Sequence, residues 1–182
     1  MKKTLVMCFI SLVIGSLITA VVGYFYTRHN NESWIQTVLE DKYEVKYPDS
    51  ALMAKTIYLA SSDLNYDYRL LMAQIQVETE YRCRTEKTSG AEGCMQIRKK
   101  YWKDTCKDYD ISDKYQNIFA GVCAMKHYSK ATGNVADALI AYNIGITSFK
   151  QEKNLLEGFT YRNSVINEYT SLQAYVITPR VK

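Results

Sequence analysis

Between Thr4 and Thr27 no charged residue and no proline interrupts the chain, while Lys2 and Lys3 stand in front and Arg28 behind. At about 1.5 Å of rise per residue, an apolar run of this length crosses a hydrocarbon core of about 30 Å, and it predicts a transmembrane helix over residues 1–27. A cleaved signal peptide shares the basic-then-apolar start. No small-x-small cleavage site follows here, which favours an uncleaved signal anchor. The two leading lysines hold the start in the cytoplasm, so the expected localisation is single-pass in the cytoplasmic membrane, with the remainder on the periplasmic, extracytoplasmic side.

Beyond the apolar run the pattern changes to helical periodicity. Residues 28–48 read as a polar stem in which Trp34, Ile35, Val38 and Leu39 mark one short amphipathic turn. A domain over residues 49–178 follows. Asp49 or Ser50 caps a helix from Ala51 to Ala60, and Asp67 caps a second running to Tyr81. On that second helix Leu71, Ile75 and Glu78 recur at four and three; at 100° per residue, Leu71 and Glu78 lie only about 20° apart, so the carboxylate shares the inward-facing line. Glu80, about 200° round from Glu78, points elsewhere. Periodicity fails from Arg82 to Gly93, where glycines, threonines and charges predict a loop with at most a small β-hairpin. It returns in Gln116–Tyr128, Asn134–Tyr142 and Tyr161–Tyr175. The predicted class is therefore mainly α.

Composition sharpens this outline. Of 182 residues 47% are apolar, enough to bury a core. Lys plus Arg number 23 against 19 acids, a net +4 without a long basic run, so no nucleic-acid partner is expected. Sixteen tyrosines against 5 phenylalanines suit a sugar-binding cleft, where a ring stacks on a pyranose and its hydroxyl reaches the rim, although half-buried packing uses tyrosine equally well. Cys8 falls in the apolar run, while Cys83, Cys94, Cys106 and Cys123 form an even set that an oxidising compartment would join in two bridges, with three pairings open. With no close C-x-x-C pair and only His29 and His127, neither a metal site nor a cofactor is expected.

Glu78 is the candidate for chemistry. On an apolar helical line it can pair with Arg82 four residues on, which is the structural outcome, or act as a general acid whose pKa burial lifts from about 4.3 to about 6.

The neighbourhood favours the second role. The chain reads Glu78-Thr79-Glu80-Tyr81, then Gly90-Ala91-Glu92-Gly93-Cys94-Met95-Gln96, then Asn117-Ile118-Phe119-Ala120-Gly121 and Ala141-Tyr142-Asn143-Ile144-Gly145, with Tyr161, Val165 and Tyr169 beyond. In this order and spacing the segments resemble the catalytic domain of lytic transglycosylases of the soluble-lytic-transglycosylase (SLT) type, which shares the lysozyme-like fold of goose-type lysozymes. The resemblance runs from about Ile57 to Tyr169. It implies a lysozyme-like helical domain with Glu78 as the catalytic acid and Met95, Gln96, Tyr142, Asn143 and Tyr161 as substrate-binding residues. Tyr142 is similar to the family tyrosine whose hydroxyl approaches the acid, and Tyr161 to the one that closes the site. Thr79 stands for the usual Ser and Cys94 for a buried Leu. Lys87 takes the place of a site-contacting Ser, with Thr88 and Ser89 beside it.

Ordinary glycosidases pair two carboxylates about 5 to 9 Å apart, and no obvious second one is present. As the resemblance implies, Glu78 alone would cleave peptidoglycan strands between N-acetylmuramic acid and N-acetylglucosamine, leaving a 1,6-anhydro end. Peptidoglycan and, through the N-terminal helix, the membrane are then the expected partners, with secretion, conjugation or phage machinery as settings. A lysozyme-type hydrolase using Glu80, Glu86 or Glu92 as second acid, and an anchored glycan-binding scaffold with an idle acid, are the alternatives.

Overall fold

The structure is a computed structural model that describes residues 2–84 and 89–177, and for residues 2–18, 24 and 25 the backbone alone. Helix α1 spans Lys2–Asp41, α2 Asp49–Asp63 and α3 Tyr68–Thr79. A two-stranded antiparallel ladder follows, β1 (Ala91–Glu92) against β2 (Ile97–Arg98), with Ala91 opposite Arg98 and Glu92 opposite Ile97. Then come α4 (Lys99–Trp102), α5 (Gln116–Thr132), α6 (Val135–Ile144), α7 (Ile146–Lys150) and α8 (Leu155–Gln173). This mainly helical arrangement with its small ladder fits the lysozyme-like class.

The membrane-spanning part of the expected fold requires correction. Among the described residues no helix is long and apolar enough to cross a membrane. Much of the expected span, residues 1–18, lies outside the described side chains. What the structure does show is that α1 does not stop at Thr27. It continues through Arg28, His29, Asn30, Asn31 and Glu32, with Arg28 and Glu32 paired at 2.7 Å one turn apart. Its last turns then enter the domain, where Ile35, Val38 and Leu39 are fully buried as α1 packs on α2. The segment expected as a polar stem therefore supplies one wall of the core.

Helix boundaries follow local chemistry. Asp67 caps α3 by accepting the Arg69 N–H at 2.8 Å, and its other oxygen accepts the Tyr169 hydroxyl from α8 at 2.9 Å. α3 ends at Thr79, short of the expected Tyr81, because Glu80 and Tyr81 both turn left-handed, with φ of 51° and 59°. Tyr81 folds back to donate to the Met72 carbonyl at 2.9 Å. Asn134 caps α6 through the Asp137 N–H at 2.8 Å. α8 begins at Leu155, earlier than the expected Tyr161, and its first turn, Leu155-Leu156-Glu157-Gly158, holds a glycine that disfavours a helix locally. That glycine is required by packing: a Cβ there would lie 2.5 Å from Ile140 Cγ2, so only glycine lets α8 close onto α6.

Two disulfides, Cys83–Cys94 and Cys106–Cys123, resolve the three possible pairings. The first ties the segment after α3 to the turn between β1 and β2; the second ties the segment after α4 to α5.

Candidate active site

The packing of α3 against α8 brings together two groups 83 positions apart in the chain. Glu78, in the last turn of α3, accepts the Tyr161 hydroxyl of α8 at 2.6 Å through Oε1. Glu78 is partly open to a cleft, whereas Tyr161 is buried. Burial pushes the Glu78 carboxyl up from 4.5 to about 7, and the bond from Tyr161 pulls weakly the other way. A carboxylic acid in this state holds its proton near neutrality and can give it up. With Tyr161 occupying Oε1, the other oxygen is left to carry the exchangeable proton.

The cleft has a volume of about 630 Å³. One wall is the β1–β2 turn with Ser89, Ala91, Gln96 and Arg98; the opposite wall is the end of α6 and α7, from Tyr142 to Ser148. Tyr101, Trp102, His127 and Tyr128 line it further out. Asn143 borders both this cleft and a second hollow on the far side of Tyr161, lined also by Asn154, Thr160 and Ser164.

The turn that carries Gln96 is held from beneath by one amide. Asn117, fully buried at the start of α5, accepts the Met95 N–H at 2.9 Å and donates to the carbonyls of Glu92 at 2.9 Å and Ile111 at 2.8 Å. Gly93 lies against this amide with φ of 73°, and a Cβ there would be 2.2 Å from Asn117 Cγ. Both the backbone conformation and the space demand glycine. The Thr79 hydroxyl, 3.2 Å from the Cys94 carbonyl, links the same turn to the end of α3.

The predicted residues take different places. Gln96 lines the cleft, its amide donating to the carbonyls of Arg84 at 2.7 Å and Gly93 at 2.9 Å. Asn143 lies exposed at the cleft edge. Tyr142 donates to the Met95 carbonyl at 2.6 Å, and its ring stacks on Tyr161 with centroids 6.3 Å apart and planes 12° from parallel. The hydroxyl resting on the acid is therefore that of Tyr161. Met95 is fully buried, its side chain packed against Gly121. Lys87 and Thr88 lie outside the described residues, and Ser89 lines the cleft.

Residues 55–164 match the family described as the transglycosylase SLT domain, a stretch that runs from α2 into α8 and takes in the whole site. The chain belongs to the transglycosylase SLT family. It is also similar to a protein named transglycosylase from Enterobacteria phage PRD1, 33% identical over 94 residues, which cover 50% of this chain and 34% of the relative. The chain thus spans about a third of the length of that curated relative. No solved structure matches it.

Within this SLT domain two supports for the site escaped the sequence reading. Gln74, fully buried one turn before Glu78, accepts the Tyr66 hydroxyl at 2.6 Å, while its Nε2 lies near the Tyr161 hydroxyl without forming a hydrogen bond. An amide on the apolar face of α3 was the available signal, because burying a polar group there is costly and marks a place where it bonds to something specific. Asn117 was noted only as part of a motif. Its role in pinning the turn depends on contacts across 22 to 25 positions that no local pattern displays.

Proposed function

We propose that this SLT domain is a peptidoglycan lytic transglycosylase in which Glu78 acts first as acid and then as base. The observation that carries the reading is a solitary carboxyl, its pKa raised by burial to about 7 so that a useful fraction keeps its proton near neutrality, in a cleft whose described lining contains no second carboxylate. Glu80 is exposed and paired with Arg82 at 2.7 Å, Glu92 is absent from the cleft lining, and Glu86 lies outside the described residues. A hydrolase with paired carboxylates places them about 5 to 9 Å apart across the sugar.

In the proposed cycle the free oxygen of Glu78 protonates the oxygen bridging N-acetylmuramic acid to N-acetylglucosamine. The bond from that oxygen to C1 breaks, and the acetamido carbonyl oxygen of the muramic unit bonds to C1, taking up the developing positive charge. Glu78, now a carboxylate steadied by Tyr161, removes the proton of the 6-hydroxyl. O6 attacks C1, the bond to the acetamido oxygen opens, and Glu78 regains its proton. A 1,6-anhydro end and a free 4-hydroxyl result, with no water consumed. Gln96 and Asn143 lie where they can bond the strand, while Met95 and Tyr142 act through the turn they brace.

Mass analysis of products from purified peptidoglycan tests this, with anhydro ends expected. Reducing ends would indicate hydrolysis, and uncut strands a binding module. The two disulfides suit an extracytoplasmic compartment, where the substrate lies. The phage relative favours local wall opening in a phage setting over the other settings that such an enzyme serves.

Tyr161→Phe supplies a finer test. Loss of this donor leaves the carboxylate less stabilised, so the Glu78 pKa should rise above about 7, and the alkaline limb of the pH profile of kcat/KM should move to higher pH. The rate at the optimum should fall about tenfold or more, in line with loss of a hydrogen bond to a charged group. An unmoved limb would show that the hydroxyl does not act on the acid in solution.

A further inference from the structure

The outer cleft is built for a negative charge. Arg98, on β2 two residues after Gln96, is exposed along the cleft wall, and among the described residues it forms no ion pair. The buried Tyr128 ring system lies within its electrostatic reach: the guanidinium pulls the Tyr128 hydroxyl down against the upward push of burial. His127 faces the same space, its ring edge-on to Trp102 at 5.4 Å. Glu78 is the only acid in the described lining, and burial raises its pKa to about 7, so that part of it is uncharged near neutrality. The surrounding sequence is also cationic: from Arg98 to Lys107 there are Arg98, Lys99, Lys100, Lys103 and Lys107 against the single Asp104.

Arg98 is exposed and hydrated, free to exchange water for a ligand, and its planar fork matches a carboxylate. Neutral aminosugars offer it hydroxyl and acetamido oxygens but no charge to pair with. On the reading that this cleft takes peptidoglycan, the chemistry available to it is the carboxylate borne on the 3-O-substituent of the muramic unit. We propose that Arg98, with His127 beside it, forms a subsite for that carboxylate and sets a preference for strands whose substituents carry free acid. The carboxylate comes either from the peptide arm or, where the arm has been removed, from the exposed lactyl group.

Three strand preparations separate these sources: arms with free carboxylates, arms with their carboxylates converted to amides, and strands stripped to the lactyl acid. For the full chain, KM should be about fivefold lower with free-acid arms than with amidated arms, as expected for one partly exposed charge-assisted contact. Arg98→Gln should raise the free-acid value to the amidated one, Arg98→Lys should restore the preference, and added salt should weaken it. Stripped strands that bind as well as free-acid arms would show that the subsite accepts the lactyl carboxylate as well as that of the arm; stripped strands that bind like amidated ones would confine it to the arm. Equal KM for all three preparations in the wild-type protein, or an Arg98→Gln effect of the same size on amidated strands, would overturn the proposal. Retention of the same strands by the Glu78→Gln protein is measured in parallel. If no strand is cut, the lytic reading fails while the charge preference is still scored from binding.

Discussion

Glu78→Gln is expected to lose about a thousandfold or more in strand cleavage and, above neutral pH, to be more stable than the parent protein. The first effect follows from removing the only carboxylic acid in the described cleft lining. The second follows from linkage. The folded state lifts the Glu78 pKa from 4.5 to about 7, so between these values it binds the proton more tightly than the unfolded chain does. Stability therefore falls as pH rises through this window, and above about pH 7 the full penalty of an ionised, desolvated carboxylate is present. A shift of this size corresponds to at most about 3 kcal/mol, reduced by whatever cleft water reaches the group. Glutamine keeps the shape and never ionises. Thermal denaturation at pH 5 and pH 8.5 should show the mutant gaining relative to the parent only at the higher pH. A gap that is the same at both would mean that the carboxylate is well solvated and unsuited to the role assigned to it.

Asn117→Ala should be the most damaging single change in the turn that carries Gln96. It deletes the acceptor for the Met95 N–H and the donors to the Glu92 and Ile111 carbonyls, and leaves those groups unpaired beneath the turn. The expected cost is about 3 kcal/mol or more, read as a lower denaturant midpoint with little change in slope. Activity should fall further than unfolding alone accounts for, because Gln96 and the Met95 carbonyl that receives Tyr142 ride on the same turn. Asn117→Asp preserves the acceptor but sets an oxygen against two carbonyls, and it should rescue little. A mutant with the parental midpoint would show that the amide is a spectator.

The acid was legible in the sequence because two independent signals fell on it: the helical line through Leu71 and Ile75, and the ordered segments around it. The central helices were legible for the same reason, since strong periodicity survives in α3, α5 and α6. Less legible were features settled by distant partners. The start of α8 holds Gly158, a weak helix former, so its helical state is decided by contact with α6. The ladder is expected within Arg82–Gly93 but straddles its end, because Gly93 and Gln96, both with left-handed φ, place the reversal there. Met95 looked like a cleft surface from its motif, yet Gly121 offers it a place in the interior. The apolar amino-terminal stretch was read by length and hydropathy alone, and neither property registers that its helix runs on into the domain.

That continuation has a practical consequence for anyone trimming the protein. Ile35, Val38 and Leu39 each contribute about 1.5–3 kcal/mol of burial, which together is comparable with the whole margin that keeps a domain of this size folded. A shortened version starting at residue 49 would keep every residue proposed for chemistry but strip the greasy backing from α2. It should precipitate on expression, whereas one starting ahead of Trp34 should yield material fit for assay.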